Sequence, residues 1–297
     1  MKLFALFAAA LVQIASAPAP VVFGPGVISG TQDVDAATFS PDGKTVFFDR
    51  SIDGVSTIRM SRRSGETWSA PVTAPFSGKW SDKDPAMAPD GSFLVFDSNR
   101  PASPGGSALD LVRTDGSVRA GQGNHLWRVD RTGSGWAEPV PLPGVVNDST
   151  RIYSPSVVRD GSVYFQKPDA VSRVFHLVRS QYRGRTYQAP EDVVIGPAGA
   201  DERDPAVSPD ERFMVFSANY GPKGQPNRLY ITFREGGRWG PPTDLGDAVN
   251  HDGAEGPHLG VDGQSAYFDS TAPAPGAPAG VSRIWRLDLR PWLRAHR

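Results

Sequence analysis

The sequence has no cysteine among its 297 residues. That absence excludes disulfides, thiolate metal sites and a cysteine nucleophile together. Strong charge of one sign is lacking too: 31 Lys and Arg balance 32 Asp and Glu. A near-neutral chain gives no electrostatic ground for nucleic-acid binding, and the arginines are scattered among acids. No phosphate loop, dinucleotide fingerprint or His-Glu-x-x-His motif occurs, and no Gly-x-Ser-x-Gly elbow. Coiled-coil heptads and a collagen period are also missing. Glycine (32) and proline (28) are plentiful instead, which favours a turn-rich chain. With 39% hydrophobic residues the composition is not that of a disordered chain.

One long apolar run exists, at the start. Lys2 precedes Leu3 to Val12, Gln13 interrupts, and Ala15-Ser16-Ala17 has the small-x-small form of a cleavage site. The expectation is an export signal over 1–17, with a neighbouring cut as the alternative because Pro18 is unfavourable just after cleavage. The run is short for a bilayer, and no later segment reads as a membrane anchor. The remainder, 18–297, is expected to form one domain.

Five segments repeat at a period near 50. They run Ala37-Thr38-Phe39-Ser40-Pro41-Asp42-Gly43, Pro85 to Gly91, Pro155 to Gly161, Pro205 to Glu211 and Pro257 to Gly263. Each leads into an apolar run: Val46-Phe47-Phe48, Leu94-Val95-Phe96, Val163-Tyr164-Phe165, Met214-Val215-Phe216 and Ala266-Tyr267-Phe268. The physical reading is strand, tight Asp-Gly turn, strand. Third strands follow at 56–60, 125–129, 174–178, 228–232 and 283–287. Fourth elements open on Trp68, Trp136, Tyr187 and Trp239. Four strands per unit predict an all-β five-bladed propeller. The fifth unit lacks its fourth strand, and Pro20 to Ile28 resembles the outer strand of unit two. The N-terminal segment is therefore expected to complete the last blade and remove the open sheet edges. A sixth blade between Gly91 and Asp160 is the alternative; the surplus there reads as an insertion over 101–123.

The Ser-Pro-Asp-Gly segments and Phe96-Asp97-Ser98-Asn99-Arg100 resemble the WD40-like PD40 repeats of the TolB family of periplasmic propellers. The resemblance spans nearly the whole chain after the leader. It implies a propeller, a periplasmic or secreted location and a role in binding another macromolecule. TolB itself has six blades and a further N-terminal domain, from which five units depart.

Propeller geometry places a working face. Residues entering the inner strands converge on one mouth: Asp35, Lys83, Asp84, Tyr153, Ser154, Arg203, Asp204, Glu255 and Gly256. Residues leaving the second strands join them: Asp49, Arg50, Asp97, Arg100, Gln166, Lys167, Ser217, Asn219 and Asp269. Trp80 precedes the inner strand of unit two and falls near the same place. Three readings stay open for Asp35, Asp84, Asp204 and Glu255: general acid and base for a glycan, oxygen ligands for Ca²⁺, or caps joining adjacent blades. His251, Glu255 and His258 make a weak transition-metal candidate, with His258 alternatively facing the channel. The recurring Trp68, Trp136, Tyr187 and Trp239 read as packing between blades. The chain is accordingly expected to bind an envelope protein, peptide or glycan at the entry face, without nucleic acid. A glycan hydrolase or lyase is the alternative.

Overall fold

Short apolar runs make strands, the second of each blade buried on both faces as in Phe93–Ser98 and Ser265–Ser270, and tight turns fold them into antiparallel sheets. The computed structural model describes residues 18–296 apart from 102, 114, 170, 223 and 276, so the expected leader at 1–17 lies outside the described residues. Five blade sheets form, the first four ordered from inner to outer strand as the chain runs. Blade 1 comprises Val34–Phe39, Thr45–Ile52, Val55–Ser64 and Val72–Thr73. Blade 2 comprises Asp82–Met87, Phe93–Ser98, His125–Thr132 and Val140–Pro141. Blade 3 is Tyr153–Val157, Val163–Pro168, Phe175–Ser180 and Glu191–Asp192. Blade 4 is Asp201–Val207, Phe213–Asn219, Arg228–Glu235 and Thr243–Asp244.

Blade 5 takes Glu255–Leu259, Ser265–Ser270 and Arg283–Asp288 from the end of the chain and Val21–Val22 from its beginning. Val21 pairs with Arg286 and Val22 with Trp285, antiparallel. The latch continues past the strand: Phe23 N donates to the Ile284 carbonyl at 2.8 Å, and Ser29 Oγ donates to the same oxygen at 3.3 Å. The architecture is thus the five-bladed propeller expected, closed by its N-terminal strand. The surplus in unit two forms no extra blade; it holds a small hairpin, Leu111–Val112 with Val118–Arg119.

The apolar core is divided among the blade junctions. Phe47 and Ile58 of blade 1 meet Leu94, Phe96 and Trp127 of blade 2. Val95 and Leu126 meet Val163 and Phe165 across the next junction. Tyr164 and Leu177 meet Met214 and Phe216 across the third, and Val215 and Ile231 meet Ala266 and Phe268 across the fourth. The ring closes where Phe39, Val46 and Phe48 meet Tyr267 and Ile284. Each outer aromatic reaches back to the preceding blade. Trp136 stands edge-on to Phe47 at 5.7 Å, Trp239 edge-on to Tyr164 at 6.3 Å, and Trp68 edge-on to the latch residue Phe23 at 5.6 Å. A short C-terminal helix, Arg290–Ala295, buries Trp292 against the junction of blades 4 and 5.

Phe23 is the apolar anchor of the latch, since it also lies edge-on to Phe39 and Tyr267 at 5.6 and 5.0 Å. Phe23→Ala is expected to lower the unfolding free energy by about 2–4 kcal/mol, as for a large-to-small change at a packed site. Urea unfolding would measure it; a loss no greater than that of an exposed-site control would show that the latch does not hold the ring.

Candidate functional site

Every inner strand carries the same irregularity. Pairing with the second strand slips between Asp35 and Thr38, Lys83 and Ala86, Tyr153 and Ser156, Arg203 and Ala206, and Glu255 and His258. Each slip is a β-bulge with one residue in the left-handed region: Ala36 (φ 57°), Asp84 (50°), Ser154 (52°), Asp204 (50°) and Gly256 (58°). Four of the five are not glycine, and each such residue costs about 1–2 kcal/mol. Glycine is needed at 256, where a Cβ would stand 2.3 Å from Asp269 Oδ2.

Side chains from the preceding blade hold these bulges in place. Asp49 of blade 1 accepts from Asp84 N at 3.2 Å, Gln166 of blade 3 accepts from Asp204 N at 2.7 Å, and Asp269 of blade 5 accepts from Ala36 N at 3.2 Å. Asp204 in turn accepts from Ser154 Oγ at 2.8 Å and from Gly256 N at 3.4 Å, joining blade 4 to both neighbours. Ser154 Oγ also lies 3.4 Å from Asp84 Oδ2. Asp97 holds the equivalent place in blade 2. It is fully buried, and neither carboxylate oxygen has a hydrogen-bond partner.

The result is a ring of acids around the channel mouth, with Lys83 and Arg203 among them. Burial, reinforced by neighbouring carboxylates, pushes Asp49, Asp97 and Asp269 well above the usual carboxylate range. Asp204 is raised by burial and Asp84, against the Ser154 hydrogen bond. Glu255 stands exposed on the rim, and the surrounding protein and Asp204 raise it as well. Burial pushes Asp35 up to about 6, against the hydrogen bond it accepts from Ser282 Oγ at 2.6 Å. Burial also opposes the Lys83 ammonium, but Asp97, Asp84 and Asp49 outweigh it and hold the group protonated.

The other expected residues divide between the mouth and the scaffold. Lys83 Nζ lies 5.3 Å from the Tyr153 ring centroid. Arg203 forks onto Asp201 through two bonds of 2.8 Å and lies 4.6 Å from the Phe175 ring centroid, where Arg151 lies 5.1 Å away. Trp80 lines a groove beside the mouth. Arg100 is occupied by the fully buried Asp82, with Nη2 2.9 Å from Oδ2, and donates to the Phe76 carbonyl. Lys167 pairs with Asp148 at 2.5 Å, Asn219 fastens its own loop through the Gln225 carbonyl at 2.7 Å, and Arg50 lies over Phe48 at 5.8 Å. His258 lines a cavity of about 170 Å³ on the turn side of the channel with Thr38, Met87 and Ser156, and burial lowers its pKa to about 4. His251 is exposed and sits 3.1 Å from Asp252. Among the described residues no three His, Asp or Glu side chains gather to hold a metal ion.

Phe175, Lys79 and Asn124 escape sequence reasoning because none repeats between units, whereas Asn99 sits where blade 4 carries Asn219. Departure from the repeat is the signal that would have found the first three. Asn99 Oδ1 accepts from Ser81 N and its Nδ2 donates to the Gly121 carbonyl, both at 2.8 Å, which pins the insertion against blade 2.

No protein-family model and no curated protein matches the chain. The β-propeller fold is similar to that of several known structures. A putative TolB from Agrobacterium tumefaciens is 17% identical with a TM-score of 0.51, covering 87% of this chain and 78% of the other. TolB from Acinetobacter baumannii is 13% identical at 0.51, covering 86% of this chain and 55% of that one, so the present chain spans about half its length. A protein of unknown function from Dyadobacter fermentans is 14% identical at 0.51, covering 93% and 100%. At these identities the likeness is one of fold.

A carboxyl whose pKa is raised on folding adds stability below its unfolded value and loses it as pH climbs through the folded one. For Asp35 that window runs from 3.8 to about 6. Asp35→Asn is therefore expected to raise Tm near pH 7.5 and change it little near pH 3, with thermal melts across pH as the measurement. A variant less stable than the parent at the higher pH would contradict this account of the site.

Proposed function

We propose that the protein is exported and binds a protein, peptide or glycan of the cell envelope at the entry face of its propeller. The observation that carries this reading is the difference between the two faces. Exposed large apolar side chains at Val27, Ile52, Val55, Val112, Val118, Val145, Val171 and Val194 belong to connections at the entry face or leading to it. On the Asp-Gly turn face Val261 is the one such residue among the described residues. Apolar points over a rigid ring, with Arg151, Arg203 and Trp80 beside them, are what a recognition surface offers. Among the described residues no helix is long and apolar enough to cross a membrane, which is compatible with a periplasmic or secreted protein.

One observation favours the enzymatic alternative, a glycan hydrolase or lyase: Ser154 Oγ lies within 3.4 Å of both Asp84 and Asp204. Asp204, however, is committed to hydrogen bonds that join blades, and both acids occupy strained bulges. Binding is the better account of the face as a whole.

Hydrogen exchange of the full chain with and without an envelope extract tests the reading. Protection is expected at the entry-face connections, including 52–55, 79–81 and 193–200. Protection confined to the Asp-Gly turns on the other face would overturn it.

A further inference from the structure

A groove of about 410 Å³ opens beside the channel mouth, within the usual size range of small-ligand sites. Its chemistry is opposite to that of the mouth. Lys79 and Lys83 line it and no carboxylate does. Trp80 and Tyr153 supply two aromatic surfaces, with Lys79 Nζ 5.4 Å from the Trp80 ring centroid and Lys83 Nζ 5.3 Å from that of Tyr153. Asn124 and Gln122 add amides.

These features depart from the fivefold repeat, which packing alone does not require. Lys83 and Tyr153 stand where the other blades carry Asp35, Arg203 and Glu255. The positions equivalent to Trp80 hold Gln32, Thr150, Ala200 and Asp252. The wall at Gly121–Gly123 comes from the longest connection between second and third strands. That connection is fastened as well as long. Leu109 N donates to the Asn99 carbonyl and Gly123 N to the Leu109 carbonyl, both at 2.7 Å. Gly123 is required there, because a Cβ would stand 2.4 Å from the Asp110 carbonyl oxygen.

We propose that this groove binds a carboxylated sugar unit of an envelope glycan. The proposal rests on the entry face being the working face, and it narrows that face to one ligand class. Aromatic planes pack against the C–H face of a pyranose, amides serve its hydroxyls, and the Lys79 ammonium receives the carboxylate, Lys83 being already engaged by Asp97, Asp84 and Asp49. A peptide would instead be captured through main-chain bonds at a strand edge, and the walls at 79–81 and 121–123 are not strands.

Isothermal titration of the full chain tests this with four probes. They are a hyaluronan tetrasaccharide, its carboxyl-reduced form, the disaccharide of N-acetylglucosamine and N-acetylmuramic acid, and an acidic peptide. At least one carboxylated sugar is expected to bind. Affinity should fall about tenfold on carboxyl reduction or in Lys79→Gln, and more in Trp80→Ala, with Trp80→Phe partly restoring it. Val261→Ser, on the opposite Asp-Gly turn face, should leave it unchanged. Preference between the two carboxylated sugars separates a uronate polymer from a cell-wall source. Binding by neither carboxylated sugar, equal binding of the reduced form, or binding by the peptide alone would overturn the proposal. If the entry face is still protected from exchange by the extract, only the ligand class falls; if that protection is missing too, the broader reading falls with it.

Discussion

The bulge on each inner strand is the constraint on which the mouth depends. Each inner strand is the edge of its sheet, and an edge leaves backbone amides without ladder partners. The left-handed residue turns one such amide towards the preceding blade, where Asp49, Gln166 or Asp269 accepts it. Strain within a blade is thereby offset by a bond between blades. The same arrangement gathers acids at the mouth, because a carboxyl oxygen of Asp49 and Asp269 accepts the amide.

The acidic ring is consequently a structural product before it is a chemical site. Asp84 and Asp204 have unusual backbones and crowded carboxyls, features that elsewhere mark catalytic groups. Here the hydrogen bonds to Ser154 and Gly256 give them a joining task. The residues that break the repeat carry the recognition chemistry: Trp80, Lys83, Tyr153 and the fastened insertion.

Much of the fold was legible in the sequence because a blade is a local object. Pro-Asp-Gly turns, alternating apolar runs and the outer aromatics lie within about 40 residues of one another, and their recurrence gives blade number, strand order and the closing strand together. The site was legible in part. The rim residues could be placed, since they follow from where inner strands begin. The partner of each could not, because Asp49 serves Asp84 and Asp269 serves Ala36 across blade boundaries. Asp82 and Arg100 illustrate the same limit. They are 18 residues apart, one opening the inner strand and the other just beyond the second, and only the fold reveals that the arginine is used up inside.

The latch has a consequence for the order of folding. Ser29 and Ile284 are bonded across 255 positions of chain, so closure sets together the most distant parts of the sequence. The blades can each form from near neighbours, whereas the entropy of joining the ends grows with the logarithm of the loop between them. Synthesis therefore delivers the closing strand first and its dock last. Until Arg283–Asp288 exists, the chain is an open arc with Val21–Val22 waiting unpaired, and the ring becomes one cooperative body only at its final strand.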